Sequence, residues 1–469
     1  MPICSSIVSA PIIRTAILFS ATALAGCQAY MSEPLDLAAH REAYLQRSAD
    51  AAPVKDFARQ LAAGQSSPTV FNVADGLSLA EAEAVALFYN ADLRVARQRA
   101  GVALATAKTA GLWEDPTLGI DVERILNSVD KPWVVAATLG ITLPISGRLE
   151  AEKARAGAAG EAELRRVLAQ EWTVRGDLRR AWMEWSQATT RVTLQKELLA
   201  RLDELLRLVE RLEKAGEYTR VDARVFRIER LTRLTDLESL ESKAAEAELH
   251  VRSLMGLSAK APVQLVVGTA YTPRNALTED RRVALEARNP ELAALRAEYE
   301  VSEATLRREV RGQYPDLTIG PGGGSDEGDS RAILGLSLPL PLWNRNQQGV
   351  AEALAQRDLA RTQFQAGYER IAIALDTATI QHRTATSQRK KIETEIVPLV
   401  DEQESDTRKM AAAGRLDPLL ILDALTRQQD AKQRLLEASV AESISLIRLD
   451  ELTGPVETST PPSAAPKPQ

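Results

Sequence analysis

Few residues in this 469-residue chain have both the type and the spacing to make or break bonds. Its three histidines, His40, His250 and His382, lie far apart with no metal-ligand spacing, and no nucleophile is paired with a base in a recognisable motif. The glycine run after Ile319 is not a phosphate cradle, because no Lys-Ser or Lys-Thr follows and its context is strand–loop–strand. These residues predict a non-enzyme without cofactor or bound metal. A formal net charge of −6, with no Lys/Arg-rich run, excludes a nucleic-acid partner as well.

The residue that does carry chemistry is Cys27. Only Cys4 and Cys27 are present, so no disulfide framework exists. Arg14 precedes a short apolar run that ends in Leu24-Ala25-Gly26-Cys27, the pattern of a cleaved signal segment over 1–26. LAGC resembles the bacterial lipobox. That resemblance implies lipidation of Cys27, loss of Cys4 and, with Gln28 rather than Asp following, sorting to the outer membrane. A plain signal peptide with an incidental cysteine is the alternative. No other stretch reaches the roughly 18 apolar residues of a membrane helix, so a bilayer crossing would require strands closed into a barrel.

The elements that could position such functions occur twice. Asn90 matches Asn289 and Pro116 matches Pro315 at an offset of 199, Pro144 matches Pro341 at 197, and Gly216 and Gly256 match Gly414 and Gly454 at 198. Two repeats follow, 77–256 and 277–454, joined by a linker over 257–276. An N-terminal segment, 27–76, precedes them, and a proline-rich tail, 455–469, is expected to be disordered.

Each repeat reads helix, strand, strand, long helix, helix. In the first, 79–112 has helical spacing, and from Arg148 to Ala215 there is no proline. Leu178, Trp185, Val192, Leu199 and Leu206 recur every seven residues, with Ala181, Ala188, Leu202 and Val209 between them. Ile371, Ala378, Ala385, Ile392 and Leu399 do the same in the second repeat. A helix over 148–214 is about 100 Å long, matching 79–112 and 220–256 placed end to end. The second repeat sets 346–413 against 279–313 plus 418–453. Low aromatic content, 4%, also suits long helices.

The strands, about 117–124, 133–145, 315–320 and 331–341, alternate. Val135, Ala137, Leu139, Ile141 and Leu143 oppose Ala136, Thr138, Gly140 and Thr142. Ala332, Leu334, Leu336, Leu338 and Leu340 oppose Ile333, Gly335, Ser337 and Pro339. Such segments fit an outer-membrane barrel and, strand by strand, equally a sandwich with one solvated face. Segments 127–132 and 320–330 are expected as exposed hairpin loops. Trp113, Trp133, Tyr314 and Trp343 fall at strand ends, where aromatic belts sit. Four strands cannot close a barrel alone, so oligomerisation is expected; three chains would give twelve.

The duplication, the NP/NA-x-L helix starts, the P-x-L strand openings and the LP strand ends resemble the TolC family of outer-membrane efflux ducts over about 77–454. The resemblance implies a mainly α fold with a small β part. Three chains would form a twelve-stranded outer-membrane β-barrel, continued by a twelve-helix coiled-coil periplasmic tunnel. It also implies the partners: a homotrimer, a periplasmic membrane-fusion adaptor, an inner-membrane RND-type pump and outer-membrane lipid, in a Gram-negative bacterium. The string LPLPLWNRNQQG at 338–349 resembles the heavy-metal (cobalt–zinc–cadmium) branch, which implies metal cations as the exported substrate. Multidrug or organic-solute export is the alternative. A lipid-anchored periplasmic coiled-coil scaffold without a pore is a third reading, and it leaves the alternating strands unexplained.

The helix–helix turns are expected as periplasmic tips. Gly216 ends one helix, and Thr219 with Asp222 caps the next; Gly414 ends the other, where Asp417 caps and Pro418 takes the first helical position. The resemblance implies that the tips close like an iris. GRLDPLLILDA then places Asp423 at a gate position and Leu420 where the family carries an acid one turn earlier. Three gathered Asp423 carboxylates would repel, raise some pKa values and attract cations; a solvated helix carboxylate is the alternative. Pro144 in LPISGR, and Pro341 with Trp343 in LPLWNR, mark the barrel-to-tunnel joint.

Overall fold

The computed structural model describes residues 30–63, 71–124, 126–127, 133–272, 280–326, 329–412 and 417–455. The chain divides into two compact units after Gln46. The described part of the first holds one helix, α1 (Leu37–Leu45), begun by Asp36, whose carboxylate accepts from the Ala38 and Ala39 amides at 2.9 and 3.0 Å. Cys4 and Cys27 lie outside the described residues.

The second unit opens with α2 (Ala52–Ala63) and then repeats itself. Its first half holds α3 (Leu79–Tyr89), α4 (Ala91–Thr109), β1 (Thr117–Arg124), β2 (Trp133–Leu143), α5 (Arg148–Ala215) and α6 (Arg220–Leu254). The second half holds α7 (Arg281–Arg288), α8 (Pro290–Arg311), β3 (Leu317–Asp326), β4 (Asp329–Ser337), α9 (Gln347–Lys391), a π-helical turn (Ile392–Ile396), α10 (Val397–Ala412) and α11 (Pro418–Thr453). The fold is mainly α with a small β part, as the duplication predicts.

Helix α5 runs 68 residues without a break. Two helices lie end to end along it: α4 meets its first half through Leu104 against Gly160 and Arg97–Glu171 (2.8 Å), and α6 meets its last part through Gln195 on the Arg233 carbonyl and Arg227–Glu213 (2.9 Å). Helices α8 and α11 also pack on α5, and α9 packs on both. Where the sequence suggests single helices over 79–112 and 279–313, the chain breaks at Asn90 and Asn289.

The second long helix also differs from expectation. Pro398 has no N–H and crowds the carbonyl four residues earlier, and the chain widens into the π turn just before it, with the Val397 amide donating to the Ile392 carbonyl. One extra residue shifts the heptad phase. Ile371, Ala378 and Ala385 are buried as expected, but Leu399 is 65% exposed.

The four strands form one antiparallel sheet in chain order, with β2–β3 joining the repeats. The glycine run is strand rather than loop: β3 extends to Asp326 and β4 begins at Asp329, so 320–326 belong to the ladder. Small residues are required there, because a Cβ on Gly322 or Gly324 would meet the Ala137 or Val135 carbonyl oxygen at 2.4 or 2.5 Å. At its other end β4 stops at Ser337 instead of 341; Pro339 and Pro341 cannot donate to a ladder, so Leu338 and Leu340 fall outside the strand.

The main core gathers Leu178, Trp182, Met183 and Trp185 of α5, Val85 of α3, Met255 after α6 and Ile447 of α11. The linker is strapped over it. Leu77 and Leu265 form an isolated parallel bridge, with the Val266 amide donating to the Leu77 carbonyl at 3.0 Å, and the Gly268 amide donates to Ser186 Oγ at 3.2 Å.

Candidate membrane face, joint and tips

The register places the long apolar strand residues on one side of the sheet, Val134 and Ile333 excepted. Leu118 opposes Leu139, Val122 opposes Val135, Ile141 opposes Ile319, and Pro321 opposes Leu334. Leu118 is 69% exposed and Leu334 70%, with Ile120, Val122 and Leu336 similarly bare. The opposite side carries Thr117, Gly119, Thr138, Gly140, Thr142, Thr318, Gly320 and Gly335, with Thr142 and Thr318 hydroxyls 3.3 Å apart. An exposed apolar face backed by a small, polar one reverses the pattern of a sheet that packs its apolar side into a core. Strands β1 and β4 end the sheet, each with one edge unpaired among the described residues. No helix of the described chain is long and apolar enough to cross a membrane.

The joint between sheet and long helix is built twice. The Ile145 amide donates to the Leu143 carbonyl at 2.9 Å, and the Leu342 amide to the Leu340 carbonyl at 2.8 Å, giving the same tight turn centred on Pro144 and on Pro341. In the first copy Gly147, at φ 72°, supplies the left-handed step into α5. The second uses Arg345 and Asn346 instead, at φ 45° and 50°. Asn346 repays this with two side-chain bonds, to the Glu309 carbonyl (2.9 Å) and carboxylate (2.7 Å). Pro341 accepts from Arg345 Nε at 3.1 Å, and Trp343 stands 88% exposed.

At the far end of α5, Gly216 adopts φ 78° and closes the helix with amide bonds back to Leu212 and Glu213. Thr219 and Asp222 form a reciprocal capping box on α6. In the second repeat Asp417 accepts from the Leu419 amide at 3.0 Å and Pro418 occupies the first turn of α11, while Gly414 lies outside the described residues. The two tips are neighbours: burial first, then the Asp417 and Asp222 carboxylates, push the Tyr218 phenol above its ordinary range. Asp423 is exposed and accepts from Arg427 Nε at 2.8 Å; Leu420 is exposed one turn earlier.

A family model described as "Outer membrane efflux protein" matches residues 84–257 and 283–455. The chain belongs to this family. The two matched stretches fall on the two halves of the fold, and the outer membrane of a Gram-negative cell is accordingly this efflux protein's place. A curated relative, "Cobalt-zinc-cadmium resistance protein CzcC" of Cupriavidus metallidurans, is 29% identical over 150 residues, covering 32% of this chain and 36% of that protein. Among solved structures, a membrane protein from Pseudomonas aeruginosa superposes with a TM-score of 0.68 at 16% identity, covering 82% of this chain and 91% of that one. The outer membrane protein VceC from Vibrio cholerae gives 0.65 at 16%, covering 80% and 96%.

Two sets of residues in this efflux protein escaped sequence reasoning. The first is a buried ionic cluster. Arg179 donates to Glu83 and Asp450, both at 2.6 Å, and lies over the Trp172 and Tyr271 rings. Arg175 reaches Glu83 at 3.0 Å, and Tyr271 donates to Asp450 at 2.9 Å. Burial disfavours the Arg179 charge, but Glu83, Tyr271 and Asp450 outweigh it and hold its pKa above the ordinary value. Its partners lie 96 and 271 residues away in sequence, so no local signal exists. The second is the role of Asn90 and Asn289, which the sequence marked as matched helix starts at a shared offset without showing that each also reaches the end of a second helix.

Proposed function

We propose that this protein is the outer-membrane duct of a tripartite efflux assembly. It would pass substrate passively from an inner-membrane RND-type pump, through a periplasmic membrane-fusion adaptor, to the exterior. The observation that carries the reading is the sheet: one face apolar and bare, the other mostly small and polar, with one edge of β1 and one of β4 unpaired among the described residues. A hydrocarbon environment covers such a face, and edge-to-edge pairing with two further chains satisfies both edges and closes a twelve-stranded barrel. The helices support the same count. Four columns per chain (α4 with α6, α5, α8 with α11, α9 with α10) give twelve in a homotrimer. The joint at Pro144, Pro341 and Trp343 carries the barrel into this tunnel. A lipid on Cys27 would anchor the chain in the outer membrane.

Within this reading the tips built by Gly216, Thr219, Asp222, Gly414, Asp417 and Pro418 form the periplasmic end, and Asp423 with Leu420 forms a gate of one acidic and one apolar ring. Heavy-metal cations are the proposed substrate, supported by the LPLPLWNRNQQG string and the partial likeness to the cobalt-zinc-cadmium resistance protein. Purified protein in planar bilayers tests the duct: trimers with discrete conductance are expected, and a monomer in detergent without conductance overturns it. Asp423→Asn is expected to lower cation selectivity. Challenge of a deletion strain with cobalt, zinc and cadmium, and separately with dyes, tests the substrate; lost dye tolerance with unchanged metal tolerance moves the assignment to organic solutes.

A further inference from the structure

The two long helix columns end differently. Distal α5 is locked by an apolar cluster in which Leu198, Leu202, Leu205 and Val209 pack on Ala223 and Phe226 of α6 and Leu425 of α11. Its counterpart α10 packs on α11 with no buried apolar side chain among the described residues; Glu404 and Thr407 are what it buries. The phase shift explains this. Counting sevens from Ala378 and Ala385 leads through Ile392 to Leu399, but the extra residue of the π turn moves the inward seam to Val400, Glu404 and Thr407.

What holds α10 is therefore polar. Glu404 pairs within α10 with Arg408 at 2.6 Å and reaches across to Arg201 of α5 at 3.7 Å. Gln428 of α11 donates to Asp401 at 2.7 Å and accepts from Arg201 at 2.8 Å. A buried Leu or Val side chain stabilises such a seam more than an ion pair whose arginine stays open to water, as Arg201 and Arg408 do. Directly above, Pro398 removes one backbone donor and the π turn replaces regular α-helical bonding.

We infer that the π turn Ile392–Ile396, with Pro398 beneath it, is a hinge. Helix α10 is the arm it carries, docked on α11 by polar contacts and able to leave while distal α5 stays locked. The hinge rests on packing alone; its consequence, a change in the width of the lower tunnel, rests on the duct reading.

Hydrogen–deuterium exchange on the full-length, detergent-solubilised protein tests it. Amides of α10 are expected to exchange at least about tenfold faster than those of 198–209. Glu404→Leu combined with Thr407→Val, which gives the arm an apolar docking face, is expected to slow α10 by about tenfold and leave 371–385 unchanged. Equal wild-type rates in the two segments, or an unchanged α10 rate in the double variant, overturn the hinge. If that variant does not fold, Pro398→Ala replaces it, with slower α10 exchange expected and an unchanged rate overturning. Single-channel recordings separate the two readings. Fewer open–closed fluctuations in the docked variant support the arm's consequence. Absence of conductance in every variant overturns the duct, while the exchange contrast still supports the hinge.

Discussion

The side-chain amide of Asn90 donates to the carbonyl of Leu254 at 2.9 Å, so one residue both starts α4 and closes the end of α6. Its Oδ1 accepts from the Leu93 amide at 3.1 Å. Asn289 repeats the bracket with the Leu452 carbonyl at 2.9 Å and the Leu292 amide at 2.9 Å. This is how two short helices are held end to end beside a long one.

Truncation at either bracket removes a cap and strands a carbonyl. Asn90→Ala and Asn289→Ala are each expected to destabilise by about 1–3 kcal/mol. Gly256→Ala and Gly454→Ala are expected to lose more. Both glycines have positive φ, 69° and 77°, and an added Cβ would meet the Tyr89 or Arg288 carbonyl oxygen at 2.4 or 2.3 Å. Denaturant titration of the solubilised protein checks the order; an Asn variant less stable than its Gly partner contradicts it.

Arg179 makes a sharper case, because it joins α3, α5 and α11 across the fold. Arg179→Met leaves Glu83 and Asp450 buried without this partner and is expected to cost about 3–5 kcal/mol. Glu83 keeps Arg175 at 3.0 Å, so adding Glu83→Gln and Asp450→Asn, which neutralises both acids, should recover part of that loss and not all of it. Unfolding midpoints of the single and triple variants decide it; a triple variant no better than the single would show that packing of the guanidinium, rather than its charge, is what matters.

The two faces of β4 predict opposite tolerance. Leu334→Arg puts a cation on the bare apolar side, where about 2–4 kcal/mol is lost near a bilayer midplane. Ile333→Arg puts the same charge on the side shared with Gly322. Membrane yield should fall for the first and hold for the second, with altered conductance. Equal yields would mean that lipid does not cover this face.

Much of this was legible beforehand because it repeats. Strand alternation gave the two faces, and the five paired landmarks gave the order of elements. The misreadings share a cause: local rules were overridden by neighbours. The run Gly320–Gly324 reads as a loop by propensity, yet it is a strand because carbonyls of β2 leave no room for a Cβ. Leu399 fits a heptad, yet Pro398 forces an extra residue that turns it outward. Arg179 was invisible, since only the folded chain brings its acids together. At the candidate gate the sequence supplied Asp423 and Leu420, but in the proposed homotrimer the lumen they would face needs three chains and has no local signal.

His382 provides a pH test of the α9–α11 seam. Its Nδ1 lies 3.1 Å from Ser445 Oγ, and burial lowers its pKa below the usual 6.5, with Glu442 opposing and Arg281 reinforcing the shift. In the unfolded chain the imidazole takes a proton near the ordinary value while the folded one still resists. Protonation therefore favours unfolding: stability is unaffected above about pH 6.5 and falls as pH drops through the window below it, until the folded imidazole itself is protonated. His382→Gln keeps a hydrogen-bonding group beside Ser445 and removes the titration. The wild type should lose more stability than this variant between about pH 7.5 and about pH 5.5. Parallel stability curves for the two proteins would assign the acid sensitivity of the seam to its carboxylates instead.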